Sequence, residues 1–315
     1  MKNKNKINTA FSLIEISVVI VVIGILISGI SSGIGFYQEY KITVARNYTI
    51  NSKVSAIPDI GFWMDTTRLK SLETASGSFT PKNGDKIKNW YSYFSLKTQY
   101  NMQVIANQNN DSLQPIYIEN GLGGLPALWF EEHPTNGGKG LSIPSNEMLR
   151  NERYVEYYFV AKGNGIINNL DPIIGSYQSW CCGWSAAMHA SPYYAPRIYT
   201  WRYWCSGGCW QSYNYSGAPW GYETNNLRLI RVMISGSSIN VISLTDNRSN
   251  GFGGNFNTSA PLNIGYQAMY YGSWSYTTQY FNGEISEIIY FTRQLDDSER
   301  LKVNDYFKGK YKLIF

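Results

Sequence analysis

One carboxylate stands where burial in lipid would require it to be paired. Glu15 lies near the start of an apolar run from Phe11 to Ile30, and residues 16–38 carry no charge. At about 1.5 Å of rise per residue, roughly 20 helical residues span the ~30 Å hydrocarbon core of a membrane. An ionised carboxylate near that layer is costly unless a cation pairs with it. The run therefore predicts a membrane-spanning helix over residues 11–36, and Glu15 predicts a contact with a positive group.

The residues before this run have the composition of a leader peptide. Residues 1–10 carry three lysines and end in the small residue Ala10, directly before Phe11. Glu15 is the fifth residue counted from Phe11. This combination of small residue, Phe and Glu at fixed spacing resembles the N-terminus of type IV prepilins and pseudopilins. The family more often has Gly in the place of Ala10.

The resemblance implies a specific processing and assembly chemistry. A prepilin peptidase would cleave between Ala10 and Phe11 and methylate the new amine of Phe11. Glu15 would then pair with the Phe11 amine of another pilin or pseudopilin subunit in the inner membrane during assembly. The alternative is an ordinary secretory signal or a simple anchor, with a cleavage site near residues 31–33.

Composition and charge favour an extracytoplasmic protein rich in β structure. Only 16% of the residues are charged, and 16% are aromatic, with 26 Tyr and 10 Trp. Removal of the three leader lysines would lower the formal charge from +5 to +2. That charge is too small for a nucleic-acid partner. The leader lysines favour a cytoplasmic N-terminus, so we expect a single-pass protein of the bacterial inner membrane with its C-terminal domain outside.

The predicted secondary structure changes from helix to short strands near residue 57. The helix is predicted to run over residues 11–56 and to end before Pro58, because the residue before a proline avoids helical geometry. Short strands and Gly/Asn-rich turns follow, with the clearest hairpin at 227–234 and 239–245. A last strand at 284–292 precedes a capping box and a C-terminal helix. The box consists of Asp296 and Glu299, and the apolar positions of the helix are Leu301, Val303, Tyr306 and Phe307.

The segments from residue 57 onward also resemble a known fold. Residues 61–65, 86–90, 120–130 and 282–290, followed by the terminal helix, resemble a concanavalin A-like, laminin-G-like jelly roll. The predicted fold is thus an N-terminal transmembrane α-helix followed by a mainly-β sandwich domain, residues 57–315. A lectin-like role in carbohydrate binding is implied by the fold resemblance alone.

A segment rich in cysteine and tryptophan is predicted to be an insertion in the sandwich. It covers residues 175–222 and holds all four cysteines of the chain and six of its ten tryptophans. The cysteines are Cys181, Cys182, Cys205 and Cys209, and the candidate ligand-binding tryptophans are Trp184, Trp201, Trp204, Trp210 and Trp220.

Two interpretations remain open for the cysteines, and two for the tryptophans. In an oxidising compartment the cysteines favour two disulfides joining 181/182 to 205/209, although a zinc site is the rival. The tryptophans are either a platform for sugar rings or a protein partner, or the small core that surrounds the disulfides.

Residues suited to catalysis are not arranged as a known active site needs them. Glu284 and Glu287 are three apart on one strand, which predicts opposite faces, whereas a glycosidase needs two carboxylates facing one cleft. No enzyme activity and no cofactor are therefore expected. A structural calcium ion is an option to which Asp65 or Asp246 could contribute.

Together these features predict a non-catalytic, prepilin-like subunit of a type IV pilus or a type II secretion apparatus. It would present a lectin-like domain to a carbohydrate or a host surface, for adhesion. The alternative is a membrane-anchored or exported carbohydrate-binding protein or glycan-active enzyme with no part in pilus assembly.

Overall fold

A computed structural model describes most of the chain. The described residues are 13–95, 103–131, 138–144, 154–163, 170–176, 183–191, 194–205, 209–214, 227–235, 238–245, 248–253, 262–271 and 275–313. The chain forms two compact units, Met1–Thr43 and Val44–Phe315.

Two α-helices flank a long series of strands. The helices are α1 (Leu13–Ile50) and α2 (Asp297–Tyr311), and short 3₁₀ helices cover Lys53–Ala56, Asp111–Leu113 and Leu122–Gly124. The strands are β1 (Ile60–Asp65), β2 (Leu72–Thr74), β3 (Ile87–Ser95), β4 (Gln103–Asn107), β5 (Ile116–Ile118), β6 (Ala127–Phe130), β7 (Leu141–Ile143), β8 (Tyr154–Gly163), β9 (Leu170–Ser176), β10 (Gly183–Ser191), β11 (Tyr194–Cys205), β12 (Cys209–Asn214), β13 (Arg228–Ser235), β14 (Ser238–Ser243), β15 (Arg248–Gly253), β16 (Leu262–Ile264), β17 (Tyr266–Tyr271), β18 (Ser275–Tyr280) and β19 (Gly283–Phe291).

Helix α1 exposes its apolar side chains over the predicted membrane-spanning stretch. By length and composition it can cross a membrane, and Glu15 lies in its first turn. Leu13, Ile20 and Ile25 are each more than 60% exposed, which is unfavourable in water and favourable in lipid. The predicted apolar N-terminal helix is therefore confirmed as a helix that can span a membrane.

Helix α1 ends earlier than Pro58 predicts. Its last residue is Ile50, and the chain then forms the 3₁₀ helix Lys53–Ala56. The side chain of Ser52 accepts a hydrogen bond from the backbone N–H of Val54, which makes Ser52 the N-cap of the new turn. A capping serine thus ends the α-helix before the proline can act.

The strands β1–β16 and β19 form one curled, antiparallel sheet with two halves that share β3. The helix-side half contains β1, β5, β6, β8, β13–β15 and β19, and the outer half contains β2, β4, β7, β9–β12 and β16. Both halves contribute to one buried apolar core, to which Phe62, Phe159 and Ile288 belong on one side and Trp90 and Ile143 on the other. The halves therefore pack face to face as the two layers of a sandwich.

A second core attaches α2 and the end of α1 to the helix-side half. Trp63 and Phe291 point away from the first core and pack with Ala45, Val303 and Phe307. Strand alternation explains this division, because successive side chains point to opposite faces. The helix-side half is thus covered on both faces.

The coarse fold prediction is confirmed: a long apolar N-terminal helix precedes a mainly-β domain that ends in a helix. The hairpin predicted at 227–234 and 239–245 is present as the antiparallel pair β13–β14. One predicted core position is wrong, since Leu301 is 59% exposed. The other three predicted positions, Val303, Tyr306 and Phe307, are buried, and Lys310 and Tyr311 are buried with them.

The predicted capping box at the start of α2 is confirmed, and its removal should have a measurable cost. Asp296 Oδ1 accepts the N–H of Glu299, and Glu299 accepts the N–H of Asp296. We expect Asp296→Ala to lower the free energy of unfolding by about 0.5–2 kcal/mol, the usual value of an N-cap. Urea unfolding measures the change. Asp297→Ala is the control, because that side chain is fully exposed, and an equal loss in both variants would contradict the capping role.

Candidate functional site

The candidate site is a row of polar side chains on the outer face of the outer half. We call it the polar row, and it consists of Glu73, Asn89, Asn107, Ser142 and Asn263 on the adjacent strands β2, β3, β4, β7 and β16. Each member is directly opposite the next in the strand register, and opposite residues share a face of the sheet.

The chain neighbours of the polar row show which face it occupies. Trp90, Ala106 and Leu262 each adjoin a member of the row, and all three are buried in the core between the two halves. Since side chains alternate along a strand, the members of the row point away from that core. The polar row therefore lies on the face of the outer half that is not packed against the other half.

Glu73 is held by two donors at one end of the row. Asn89 Nδ2 donates to Glu73 Oε2 at 2.7 Å, and the Tyr91 hydroxyl donates to the same oxygen. These hydrogen bonds, that of Tyr91 above all, hold the pKa of Glu73 below its ordinary value of 4.5, so the carboxylate is ionised at neutral pH. Burial and the hydrogen bond to Glu73 raise the pKa of Tyr91, which keeps it a neutral donor.

An aromatic ring stands beside this carboxylate. The ring of Phe79 is 42% exposed, and its centroid lies 5.8 Å from that of Tyr91. Among the described residues, both donors to Glu73 bind Oε2, which leaves Oε1 able to accept a hydrogen bond from a bound hydroxyl. The end of the row thus combines an acceptor, an amide and an exposed apolar ring.

A pair of stacked rings lies beside Ser142, the fourth member of the row. Tyr266 and Tyr280 are stacked with their centroids 6.3 Å apart. A side chain at Gly140 would overlap the Tyr266 ring, and one at Gly138 would overlap the Tyr280 ring. Burial raises the pKa of Tyr266, although a hydrogen bond with Ser142 of the polar row partly offsets this. The two glycines therefore let both rings lie close against the chain leading into β7.

Such an arrangement suits saccharide recognition. Sugar rings offer apolar faces to aromatic side chains, and their hydroxyls need donors and acceptors at fixed positions. Ser142 Oγ donates to Asn263 Oδ1 at 3.1 Å, so the polar groups are partly preorganised by one another. The polar row supplies donors and acceptors, while Phe79 and the Tyr266–Tyr280 pair supply rings.

Successive strand pairings connect the last strand of the polar row to the tryptophan-rich segment. Asn263 is opposite Gly175, Gly175 is opposite Ser185, and Ser185 is opposite Trp201. Strands β10–β12 therefore continue the outer half through β9. Trp201 takes the next place in the same backbone register, whereas the backbone partners of Trp184 are Ser176 and Arg202.

The other predicted residues of this segment are only partly described. The register places Trp204 opposite Trp210 and Cys205 opposite Cys209. Cys181, Cys182 and Trp220, like Ala10, Phe11 and Asp246, lie outside the described residues. The proposed disulfides remain a prediction.

Asp65, one of the two residues that could contribute to a calcium site, is paired with Lys310. Its carboxylate is buried and accepts hydrogen bonds from Lys310 Nζ at 2.7 Å, from Thr49 Oγ1 at 2.8 Å and from Thr67. An ammonium group thus occupies the position that a cation would take. Among the described residues, no group of three or more His, Cys, Asp or Glu side chains could hold a metal ion.

The prediction that Glu284 and Glu287 point to opposite faces is also wrong. The register of β19 with β8 shifts between Ile285 and Glu287, which is a β-bulge. Ile285 and Ile288 both face the inter-sheet core, so the two glutamates both face the helix side. Glu287 is fully buried there, and it is paired with Lys310 at 2.7 Å.

Sequence reasoning did not find the polar row, although a local signal for it exists. Ser142 stands between Leu141 and Ile143, and Asn263 stands between Leu262 and Ile264. A polar residue flanked by two apolar ones in a short strand indicates an outward-facing position. Which of these positions become neighbours is set by strand pairing, and sequence alone does not reveal that.

Comparison with solved structures shows likeness to proteins that act on glycans. No family model and no curated protein matches the sequence. A crystal structure of an arabinofuranosidase complexed with arabinofuranosyl-α-1,2-xylobiose matches 80% of this chain at 10% identity and a TM-score of 0.54. This chain covers 63% of that structure, and at such identity the likeness concerns the fold alone.

Weaker matches are of related kinds. A Trypanosoma rangeli sialidase mutant displaying trans-sialidase activity matches 90% of this chain at 9% identity and a TM-score of 0.44, and this chain covers 40% of it. Domain 4 of an extracellular GH43 arabinanase from Geobacillus stearothermophilus, in complex with arabinotriose, matches 63% of this chain and is covered to 83%, at 13% identity and a TM-score of 0.40.

Two functional predictions are corrected by these findings. The prediction of a non-catalytic, prepilin-like subunit is contradicted by the arabinofuranosidase match, which leaves the alternative, a carbohydrate-binding protein or glycan-active enzyme. The prediction that the chain is not an enzyme is contradicted by the same match.

Proposed function

We propose that residues 57–315 form a glycan-recognition domain of the concanavalin A-like, laminin-G-like type, which an N-terminal helix carries on the outer side of the bacterial inner membrane. The observation that carries this proposal is the polar row with its flanking rings. The fold likeness to an arabinofuranosidase structure supports the mainly-β character of the domain, and the concanavalin A-like type rests on the sequence resemblance. The exposed apolar surface of α1 supports the membrane anchor.

The dimensions of the polar row favour an oligosaccharide over a single sugar. Adjacent strands are about 4.8 Å apart, so five strands carry the row over roughly 19 Å. Each member offers a donor, an acceptor or both, and Glu73 offers a charge. The sugar would lie across the strands, with its apolar faces against Phe79 and the Tyr266–Tyr280 pair.

Glycan binding is tested with the full chain in detergent on an array that includes arabinoxylan oligosaccharides and sialylated glycans. We expect Glu73→Gln to weaken binding about 10-fold to 100-fold, since a hydrogen bond to a charged group is worth about 1.5–3 kcal/mol. Asn89→Ala should weaken binding of the same glycan.

The matched control is Asp297→Asn, which removes a fully exposed carboxylate on α2, an element packed against the helix-side half. It should leave binding unchanged. Absence of binding to every saccharide, or equal binding by the Glu73→Gln variant, would contradict the proposed site.

Glycan hydrolysis is the second candidate, and the carboxylate of Glu73 is the observation that favours it. A carboxylate whose pKa is held low is ionised at neutral pH, so Glu73 would act as base or nucleophile rather than as acid. Release of reducing sugar from the bound glycan, lost in the Glu73→Gln variant, would identify an enzyme. Binding without release would identify a lectin-like domain.

Processing of the N-terminus is a separate prediction from the prepilin-type resemblance. We expect a prepilin peptidase to cleave after Ala10, so the mature chain should begin with N-methylated Phe11. Mass spectrometry of the N-terminal peptide measures this directly. Ala10→Leu should retain the leader, because a bulky residue replaces the small one that precedes the cut. A mature N-terminus near residue 33 would instead indicate an ordinary signal peptide.

A further inference from the structure

Three ionisable side chains meet in a fully buried cluster that the proposed glycan site does not use. Lys310 Nζ lies 2.7 Å from Asp65 Oδ2 and 2.7 Å from Glu287 Oε2, and all three side chains are 0% exposed. The aromatic side chains that contact the cluster are Trp63, Tyr306 and Tyr311. We call these three residues the buried triad.

The two oxygens of Asp65 have different surroundings. Oδ1 accepts the backbone N–H of Thr67 at 2.8 Å and the Thr67 hydroxyl at 2.7 Å. Oδ2 contacts Lys310 Nζ and accepts the Thr49 hydroxyl. Two donors fixed on one carboxyl oxygen are the arrangement that stabilises negative charge on that oxygen in an acyl-transfer step.

Glu287 is placed to move protons within the triad. Its Oε2 contacts Lys310 Nζ, and its Oε1 accepts Trp63 Nε1 and the Tyr306 hydroxyl, each at 2.6 Å. Burial raises the pKa of Glu287, and the charge of Lys310 only partly offsets this. Burial also acts to raise the pKa of Asp65. The Lys310 charge and the Thr67 hydrogen bonds together outweigh burial, so the pKa of Asp65 is lowered. Of the two carboxyls, Glu287 is therefore the one that is protonated more readily.

We propose that Lys310 and Asp65 become joined by a spontaneous intramolecular isopeptide bond, with Glu287 as the catalytic acid–base. Proton transfer from Lys310 Nζ to Asp65 Oδ2 converts the ion pair to an amine beside a carboxylic acid. The amine lone pair then attacks Asp65 Cγ and forms the C–N bond, and the developing negative charge lies on Oδ1.

The second half of the reaction expels water. Glu287 gives a proton to Oδ2 and takes one from the attacking nitrogen, so that it ends unchanged. The Cγ–Oδ2 bond breaks, Oδ2 leaves as water, and the carbonyl re-forms at Oδ1. An amine and a carboxylic acid give an amide and one water, with no oxidant, metal or cofactor involved.

Burial favours this product over the ion pair. An isolated charge in an apolar interior is strongly disfavoured, whereas an amide carries no net charge. Exclusion of water removes the competing hydration of the amine and slows hydrolysis of the amide. Reacting groups held in hydrogen-bond contact also need no further loss of entropy to meet.

The chain contains a matched pair that should not react. Lys139 Nζ lies 2.7 Å from Glu131 Oε2, the same separation as in the buried triad. The side chain of Glu131 is 47% exposed, so water stabilises its ionised form. The comparison shows that a separation of 2.7 Å is common to both pairs, so we do not expect proximity alone to form the bond.

The proposed bond would lock the two ends of the domain together. Asp65 ends β1 and Lys310 lies in the last turn of α2, 245 residues later in the chain. A force or protease acting on the C-terminal helix would then meet a covalent link to the sheet.

The experiment is tryptic mass spectrometry of the denatured full-length protein, extracted in detergent. Trypsin does not cut after an acylated lysine, so the bond would join residues 54–68, which carry Asp65, to residues 309–312 through Lys310. We expect this branched peptide, lighter by one water than the sum of its two parts. Linear peptides alone, with Lys310 cleaved, would overturn the proposal, as would a link from Lys310 to the peptide that carries Glu287.

Two variants separate chemistry from folding. Glu287→Gln keeps the size of the side chain and removes its acid–base function, so the branched peptide should disappear while the circular dichroism spectrum of the wild type is retained. Lys139→Arg should keep the branched peptide in full. Bond formation in folded Glu287→Gln protein at the wild-type level would overturn the role assigned to Glu287.

Discussion

Replacing Lys310 by methionine is expected to lower the free energy of unfolding by about 3–5 kcal/mol, because removal of one partner leaves a buried charge uncompensated. The variant leaves Asp65 and Glu287 facing each other without a cation, and both are fully buried. Methionine nearly fills the space of the lysine stem, so lost packing contributes little. Where the isopeptide bond has formed, loss of the covalent link adds to this effect.

Urea unfolding of the full chain in detergent measures the change, and Lys139→Met is the control. Lys139 makes an ion pair of the same length with a half-exposed glutamate, and such pairs are worth about 0–1 kcal/mol. Equal losses in the two variants would show that burial of the triad does not determine its contribution.

The second large effect is expected for Phe307→Ala, which should cost about 3–5 kcal/mol. Phe307 is 0% exposed and packs with Tyr158 at 6.3 Å and with Tyr311 at 6.1 Å between ring centroids. Removing the ring leaves a cavity between α2 and the helix-side half that rigid neighbouring rings can fill only in part. Thermal and urea unfolding of the variant measure the loss.

Leu301→Ala is the matched control for this prediction. It removes an apolar side chain from the same helix, but Leu301 is 59% exposed, so a change within about 0.5 kcal/mol is expected. A larger loss for Leu301→Ala than for Phe307→Ala would mean that α2 does not pack on the sheet through the face described.

Local patterns predicted the elements that depend on neighbouring residues. The uncharged run after Glu15 predicted the long apolar helix, and the pair Asp296 and Glu299 predicted where α2 begins. The hairpin β13–β14 was predicted from two alternating segments and a short turn. In each case the hydrogen bonds or the apolar face involve residues that are close in sequence, so the pattern contains the needed information.

Irregularities in the chain escaped prediction because they break the regular period. The bulge after Ile285 turns Glu284 and Glu287 to one face, where strict alternation predicts two. Ser52 ends α1 before Pro58 through a hydrogen bond that competes with the helix. Leu301 is apolar and falls in the apolar stripe predicted for α2. The sheet packs against a different side of that helix, so Leu301 stays exposed.

The sequence by itself determined the class of the protein, an apolar anchor helix followed by a β-rich domain with a capped terminal helix, since these follow from composition and short-range periodicity. Only the tertiary structure decided which polar and charged groups meet. The polar row joins residues from five strands between positions 73 and 263, and the buried triad joins β1, β19 and α2. Strand pairing and helix packing bring these groups together across long separations, and no local pattern of residues specifies those partners.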